Sequence, residues 1–346
     1  MAVIRTRALL TQLRGLLRWT PSAPHQHSSG HLRTGQLVHA GCGGTAHRVL
    51  GLRDRGRSAA LQHSGRSFQL RTAASGQASG RDDPAHGGGM LTRTALHRFT
   101  RPGHPTVSVT VLPHAGGSAS YFRCWVPAAQ RLGVELTVVQ YPGHEELFSE
   151  APASTLEEMS LIVGETIRNE AERTVLFGHS MGGLLAYETA IALAGQDREL
   201  LGLHISGSRA PDQPVSNPRH ELPDERLVAS IAAMSPDEPC PLEDEQLAAV
   251  LLPQVRLEMR LAETHHRAPL PLAIPIILHM GTEDPDFSAE DAPAWERFTS
   301  SGTELLAHPG HHFYLGSEAA AGEILESIIA RIPREAEDER NTPCNS

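Results

Sequence analysis

Residues 174–194 read TVLFGHSMGGLLAYETAIALA, and this stretch decides the fold. Thr174 to Phe177 form a short apolar and β-branched run, as a buried strand requires. Gly178, Gly182 and Gly183 then bracket Ser180, and a helix-favouring run starts at Met181. Strand, glycine-bounded turn and helix in that order put Ser180 at the apex of a tight turn, a nucleophile elbow. Its Oγ projects above the sheet, with a helix N-terminus behind it that favours developing negative charge. The plainer alternative is a glycine-rich strand–helix turn with a capping serine.

Outward from this stretch, the same alternation repeats. The spacing predicts strands over residues 107–112, 136–139, 201–206, 274–280 and 304–307, the third lying directly after the elbow helix. It predicts helices over 121–132, 156–170 (capped by Ser154 or Thr155), 181–194 and 315–332. Short apolar strands between helices imply a mostly parallel sheet covered on both faces, an α/β fold. Residues 211–270 interrupt the alternation with about sixty residues of helical pattern, at 225–234 and 245–264, and read as a lid over the site. The domain is expected over 90–332, and the polar tail 333–346 is expected to be disordered.

The chain of 346 residues carries a formal net charge of −10, unevenly spread. Residues 1–100 hold 14 Arg against Asp54, Asp82 and Asp83, while the remainder holds 16 Arg against 37 acids. There is no Lys. Residues 1–89 lack sustained periodicity and are expected to be a disordered or non-native leader, with translation starting at Met90. A transit peptide or a basic nucleic-acid-binding arm are the other readings of this Arg-rich segment. Cys42, Cys124, Cys240 and Cys344 are scattered, without a CxxC pair, which excludes a disulfide framework and fits a cytoplasmic protein. No apolar run reaches eighteen residues, so a membrane-spanning helix is excluded.

A nucleophilic serine needs a base, and the base needs an orienting carboxylate. In α/β-hydrolases they follow in the order Ser, acid, His. Here Asp284 follows the 274–280 strand in GTEDP, and His311 follows the 304–307 strand in PGHHF. His312 is the alternative base, and Asp286 or Glu283 the alternative acid. After the first core strand, residues 113–118 (PHAGGS) form a glycine-rich loop whose backbone N–H groups suit an oxyanion, shared with the N–H of Met181. A phosphate loop is disfavoured, because neither glycine signature for it occurs and a Walker lysine is impossible without Lys. The His265–His266 and His311–His312 pairs lack metal-ligand spacing, so no metal is expected.

The set PHAGGSA (113–119), YPGHE (141–145), GHSMGG (178–183), SGSRAP (206–211), LPQVR (252–256) and GHHFYL (310–315) resembles the type II thioesterases. These are the free-standing editing enzymes of polyketide and nonribosomal peptide synthetases, related to the medium-chain thioesterase of animal fatty acid synthesis. The resemblance spans approximately residues 104–332. It implies an α/β-hydrolase fold with a lid over an acyl chamber, and a catalytic triad of Ser180, Asp284 and His311. It also implies oxyanion donors at Ala115 and Met181. The implied reaction is hydrolysis of acyl groups from the phosphopantetheine arm of acyl or peptidyl carrier proteins in antibiotic biosynthesis. No cofactor or metal of the enzyme's own, no nucleic acid and no membrane take part, and a monomer is expected. The chain departs from the family pattern at His144, where Arg is usual after Y-P-G. It departs again at His265, where an aromatic is usual, and at Met234-Ser235-Pro236. A general serine hydrolase of small esters, a catalytically idle interaction module and a terminal thioesterase domain remain as other readings. The intact Ser180, Asp284 and His311 weigh against the idle module.

Overall fold

A computed structural model describes residues 93–168, 173–194 and 199–332. The expectations for the leader at 1–89 and the tail at 333–346 lie outside the described residues.

Seven strands form one sheet: β1 (Ala95–Arg98), β2 (Val107–Leu112), β3 (Val134–Gln140), β4 (Arg173–His179), β5 (Glu199–Ser206), β6 (Ile276–Gly281) and β7 (Thr303–His308). Their spatial order is β1-β3-β2-β4-β5-β6-β7. All neighbours pair in parallel except β1, which runs antiparallel to β3 along the edge. That edge strand, ALHR, was not predicted, because four half-exposed residues carry no buried run to read. The central strands did carry one: all six residues of β2 are buried.

Helices α1 (Val126–Leu132), α2 (Leu156–Arg168), α3 (Met181–Leu193), α4 (Asp224–Ala232), α5 (Glu245–Thr264) and α6 (Glu318–Ile329) surround the sheet. The helix predicted over 121–132 divides into a 3₁₀ stretch, Ala119–Trp125, and α1, where Pro127 near the start sets a new first turn. The closing helix starts at Glu318, not residue 315, where the Ser317 hydroxyl accepts from the Ala320 N–H. At α2 the Thr155 hydroxyl caps Glu158, and the Glu158 carboxylate reaches back to the Ser154 N–H.

Two apolar layers hold the sheet. Met159, Val163, Leu184 and Leu185 of α2 and α3 pack with Trp295 and Phe298 in one. Phe122, Trp125, Ile324 and Leu325 fill the other, with strand side chains such as Val109 and Phe177. Helices α4 and α5 lie within 211–270, where Leu227, Leu242, Leu252 and Val255 form a third cluster. Register aligns Leu112 with Gly178, His179 with Ser206, and Gly281 with His308. The loops after β2, β4, β6 and β7 therefore emerge at one edge of the sheet, the position where open α/β sheets bind ligands.

Candidate active site

Ser180 stands between β4 and α3 with φ 54° and ψ −119°, a left-handed conformation that costs a non-glycine residue energy. The turn is held by Ser180 N–H donating to Ser206 O (2.8 Å) and Gly183 N–H donating to Ser180 O (2.9 Å). Close approach demands the glycines. A Cβ on Gly178 would lie 2.0 Å from Gly182 O, and one on Gly182 would lie 2.0 Å from Leu112 O. Met181 opens α3, so its N–H has no partner within the helix.

The imidazole on Asp284 belongs to His312, not to His311. His312 Nδ1 lies 3.0 and 2.9 Å from the two Asp284 carboxylate oxygens, and both side chains are buried, at 1% and 0% exposure. A carboxylate only accepts, so Nδ1 carries the proton and Nε2 is the basic nitrogen. Nε2 is buried and hydrogen-bonds no protein group. The His312 ring packs 4.8 Å from the ring of His179, the neighbour of Ser180. Gly207 makes room, since a Cβ there would lie 3.1 Å from both Asp284 Oδ2 and His312 Cε1.

His311 points the other way. Its Nδ1 donates to Glu283 O (3.2 Å), and its Nε2 lies 3.3 Å from the Asp237 carboxylate in the helical insertion. The Glu283 carbonyl and the two nearby carboxylates raise its pKa. The expectation of His311 as the base is thus corrected: it sits on the surface between the acid loop and the insertion. The alternative acids are also displaced from the base. Asp286 forms a bidentate pair with Arg219 (2.5 and 2.6 Å), which outweighs burial and lowers its pKa. Its backbone N–H donates to Asp284 Oδ1 (2.8 Å), so Arg219 braces the acid loop from outside.

Around these groups lies a polar network joining residues far apart in sequence. His179 Nδ1 meets Ser206 Oγ at 3.0 Å, and Ser206 Oγ meets the Tyr314 hydroxyl at 2.8 Å. His114 is pushed down to about 3 by burial, with the His312 and His144 charges adding to the effect, and His179 is lowered for similar reasons. Both imidazoles are therefore neutral beside the site. In the loop after β2, Gly116 N–H donates to the Glu258 carboxylate of α5 (2.7 Å). Nothing in the sequence singled out Glu258 or Arg219 as neighbours of the site, and Gly207 stood out only within the SGSRAP motif. His97, Glu145 and Glu146 bring ligand-type atoms within 4.8 Å of one another. All three are already bonded, His97 to Glu146 and Glu145 to the Ser118 hydroxyl, as on an ordinary polar surface.

A strained serine, a carboxylate-bound imidazole with a free basic nitrogen and a glycine loop at one sheet edge make an acyl-transfer constellation. Comparison with known proteins gives the same direction. A family model described as "Thioesterase domain" matches residues 108–332. Thioesterase PikA5 of Streptomyces venezuelae is 34% identical over 64% of this chain and 80% of its own. Among solved structures, the type II thioesterase BorB from the borrelidin biosynthetic cluster is similar with TM-score 0.60 and 33% identity. That match covers 67% of this chain and 96% of BorB. YbtT, a type II thioesterase from the yersiniabactin NRPS/PKS pathway, has TM-score 0.62 and 26% identity, covering 69% and 98%.

Proposed function

The chain belongs to the thioesterase domain family, a serine hydrolase with the α/β-hydrolase fold, and on that premise we propose that it removes acyl groups from carrier-protein thioesters. The substrate would be an acyl group on the phosphopantetheine arm of an acyl or peptidyl carrier in polyketide or nonribosomal peptide assembly. Two of its structural neighbours support this: YbtT is named for an NRPS/PKS biosynthetic pathway and BorB for the borrelidin biosynthetic cluster. The observation that carries the catalytic reading is the buried Asp284–His312 pair at the edge where Ser180 protrudes.

Ser180 Oγ attacks the thioester carbonyl carbon while His312 Nε2 takes its proton. Asp284 stabilises the imidazolium through Nδ1–H. The oxyanion forms between the backbone N–H groups of Ala115 and Met181, where fixed donors act most strongly on developing charge. Collapse expels the pantetheine sulfur, which takes the proton from His312 and leaves an acyl ester on Ser180. Water then attacks that ester with His312 as base, releasing the acid and restoring Ser180. A thiolate leaves readily, so excluding other acyl acceptors matters more than forcing the leaving group out. The insertion at 211–270 supplies that exclusion as a lid in this reading. The enzyme works as a cytoplasmic monomer with no cofactor of its own. Among the described residues no helix is long and apolar enough to cross a membrane.

The test compares one acyl group on a phosphopantetheinylated carrier with the same group on a simple ester. Faster turnover of the carrier thioester is expected. Preference for the ester would replace the proposal with a general esterase.

A further inference from the structure

Three hydrogen bonds converge on one buried carboxylate of α5: one from the loop after β2, one from the loop after β3 and one from within α5 itself. Glu258 Oε2 accepts the Gly116 N–H at 2.7 Å. Glu258 Oε1 lies 2.7 Å from His144 Nε2 and accepts from Gln254 Nε2 at 2.8 Å. The Glu258 side chain is 1% exposed and that of His144 8%. The same face of α5 packs tightly on both loops. A Cβ on Gly116 would lie 2.7 Å from Val255, and one on Gly143 would lie 2.6 Å from the Gln254 amide. Gln254 also donates to Pro142 O (3.2 Å).

We propose that Glu258, ion-paired with His144, is a positioning residue: it fixes the Ala115–Gly116 peptide so that the adjoining Ala115 N–H faces the oxyanion. The proposal rests on the reading of Ala115 as an oxyanion donor. Gly116 has φ +78°, a conformation that Gly adopts freely and that it has no side chain of its own to fix. The loop thus needs an external hold, and a charge-assisted N–H···O⁻ bond is short and strong. Because the hold comes from α5, the oxyanion loop takes its shape only when the insertion is seated.

Charge balance explains the second partner. A bare buried carboxylate beside a site built for an oxyanion would repel it, and a low-dielectric setting magnifies the repulsion. Protonated His144 cancels that charge. Burial alone would lower the His144 pKa, but Glu258 and then Glu145 outweigh it and hold the pKa above the ordinary value. The groups facing His144 are Glu258 and Gln254 from α5, and Glu145 from its own loop. The Tyr141 ring lies 6.4 Å away, and neutral His114 faces it from the loop after β2.

The experiment measures kcat and KM on an acyl-loaded carrier from pH 6 to 9 for wild type, E258Q and H144R, with melting curves to establish folding. E258Q keeps the shape and an acceptor oxygen but loses the ion pair. It is expected to lower kcat by roughly 10- to 100-fold, below the 10²–10³ lost when an oxyanion donor is removed outright, with KM nearly constant. In wild type, activity falls as pH rises through the His144 pKa. H144R holds a charge throughout and should keep kcat while losing that descending limb. The rate at which a fluorophosphonate modifies Ser180 should fall in E258Q in step with kcat, because its adduct fills the same hole. An E258Q enzyme with wild-type kcat, or an H144R enzyme that keeps the descending limb, would overturn the proposal. If wild type reacts with the fluorophosphonate yet hydrolyses no thioester, the substrate reading fails. An unchanged E258Q inactivation rate would then overturn the positioning role separately.

Discussion

Acidification should unfold this protein steeply, and the structure sets the size of the effect. His114, His179, His204 and His279 are buried, and burial lowers the pKa of each, with His114 and His204 at about 3. His204 and His279 are tied into a chain with His308: His204 Nδ1 lies 2.9 Å from His279 Nε2, and His279 Nδ1 lies 3.0 Å from His308 Nε2. Such an array leaves no room for extra protons. A histidine whose folded pKa is depressed stays neutral when folded but charges when unfolded, so its penalty appears as pH falls below the unfolded value near 6.5. Each then costs about 1.4 kcal/mol per pH unit. At pH 5 His114 and His204 have each removed about 2 kcal/mol, and His179 and His279 act in the same direction, against a typical total of about 5–15 kcal/mol. Histidines with raised pKa values, His144 and His311, hold their full contribution below pH 6.5 and do not oppose this slope. Urea denaturation followed by fluorescence of the buried Trp125 and Trp295, from pH 7.5 to 5, gives the slope directly. At least about two protons should be taken up on unfolding near pH 5, and H204N should lower the slope by about one proton whatever its absolute stability. An uptake of less than one proton in wild type, or an unchanged slope in H204N, would show that these histidines are not held neutral.

Four further outcomes follow from the site. S180A should lower hydrolysis by at least about 10³-fold with an unchanged circular dichroism spectrum; retained turnover would remove Ser180 from the chemistry. H312A should cost about 10³-fold or more in kcat, as loss of a triad base does, while H311A should stay within roughly tenfold, since that ring only joins surface loops; steady-state kinetics of the pair decides between adjacent residues. R219A should lower kcat by roughly tenfold through a loosened acid loop, and a crystal structure or NMR of the loop around Asp286 would show the displacement. G182A should destabilise by more than about 3 kcal/mol or prevent folding, read as a lost melting transition, because its Cβ would occupy the position of the Leu112 carbonyl.

How far each feature was legible follows from the distance over which its physics acts. Strand–turn–helix patterning around Ser180 was readable because nearest neighbours dictate it: the apolar run, the glycines and the helix start all lie within ten residues. Helix α5 was predicted with its observed bounds, since a long amphipathic period is a local signal; the cap that starts it, Asp244, is seen in the structure. Asp284 was readable from its place after a strand.

The choice between His311 and His312 was not readable. Adjacent side chains differ only in direction, and direction here depends on Gly310 at φ +117°, the space left by Gly207, and Asp237 of the insertion facing His311. Glu258 and Arg219 were equally silent, as a Glu on an amphipathic helix and an Arg in a loop look like solvated charge until another segment is folded against them. By itself the sequence determined the α/β sheet, the elbow serine and the class of chemistry, because hydrophobic period and backbone sterics are local. Tertiary structure alone decided which histidine meets the carboxylate and which carboxylate holds the glycine loop after β2, because those contacts join residues far apart in sequence whose orientation only packing can fix.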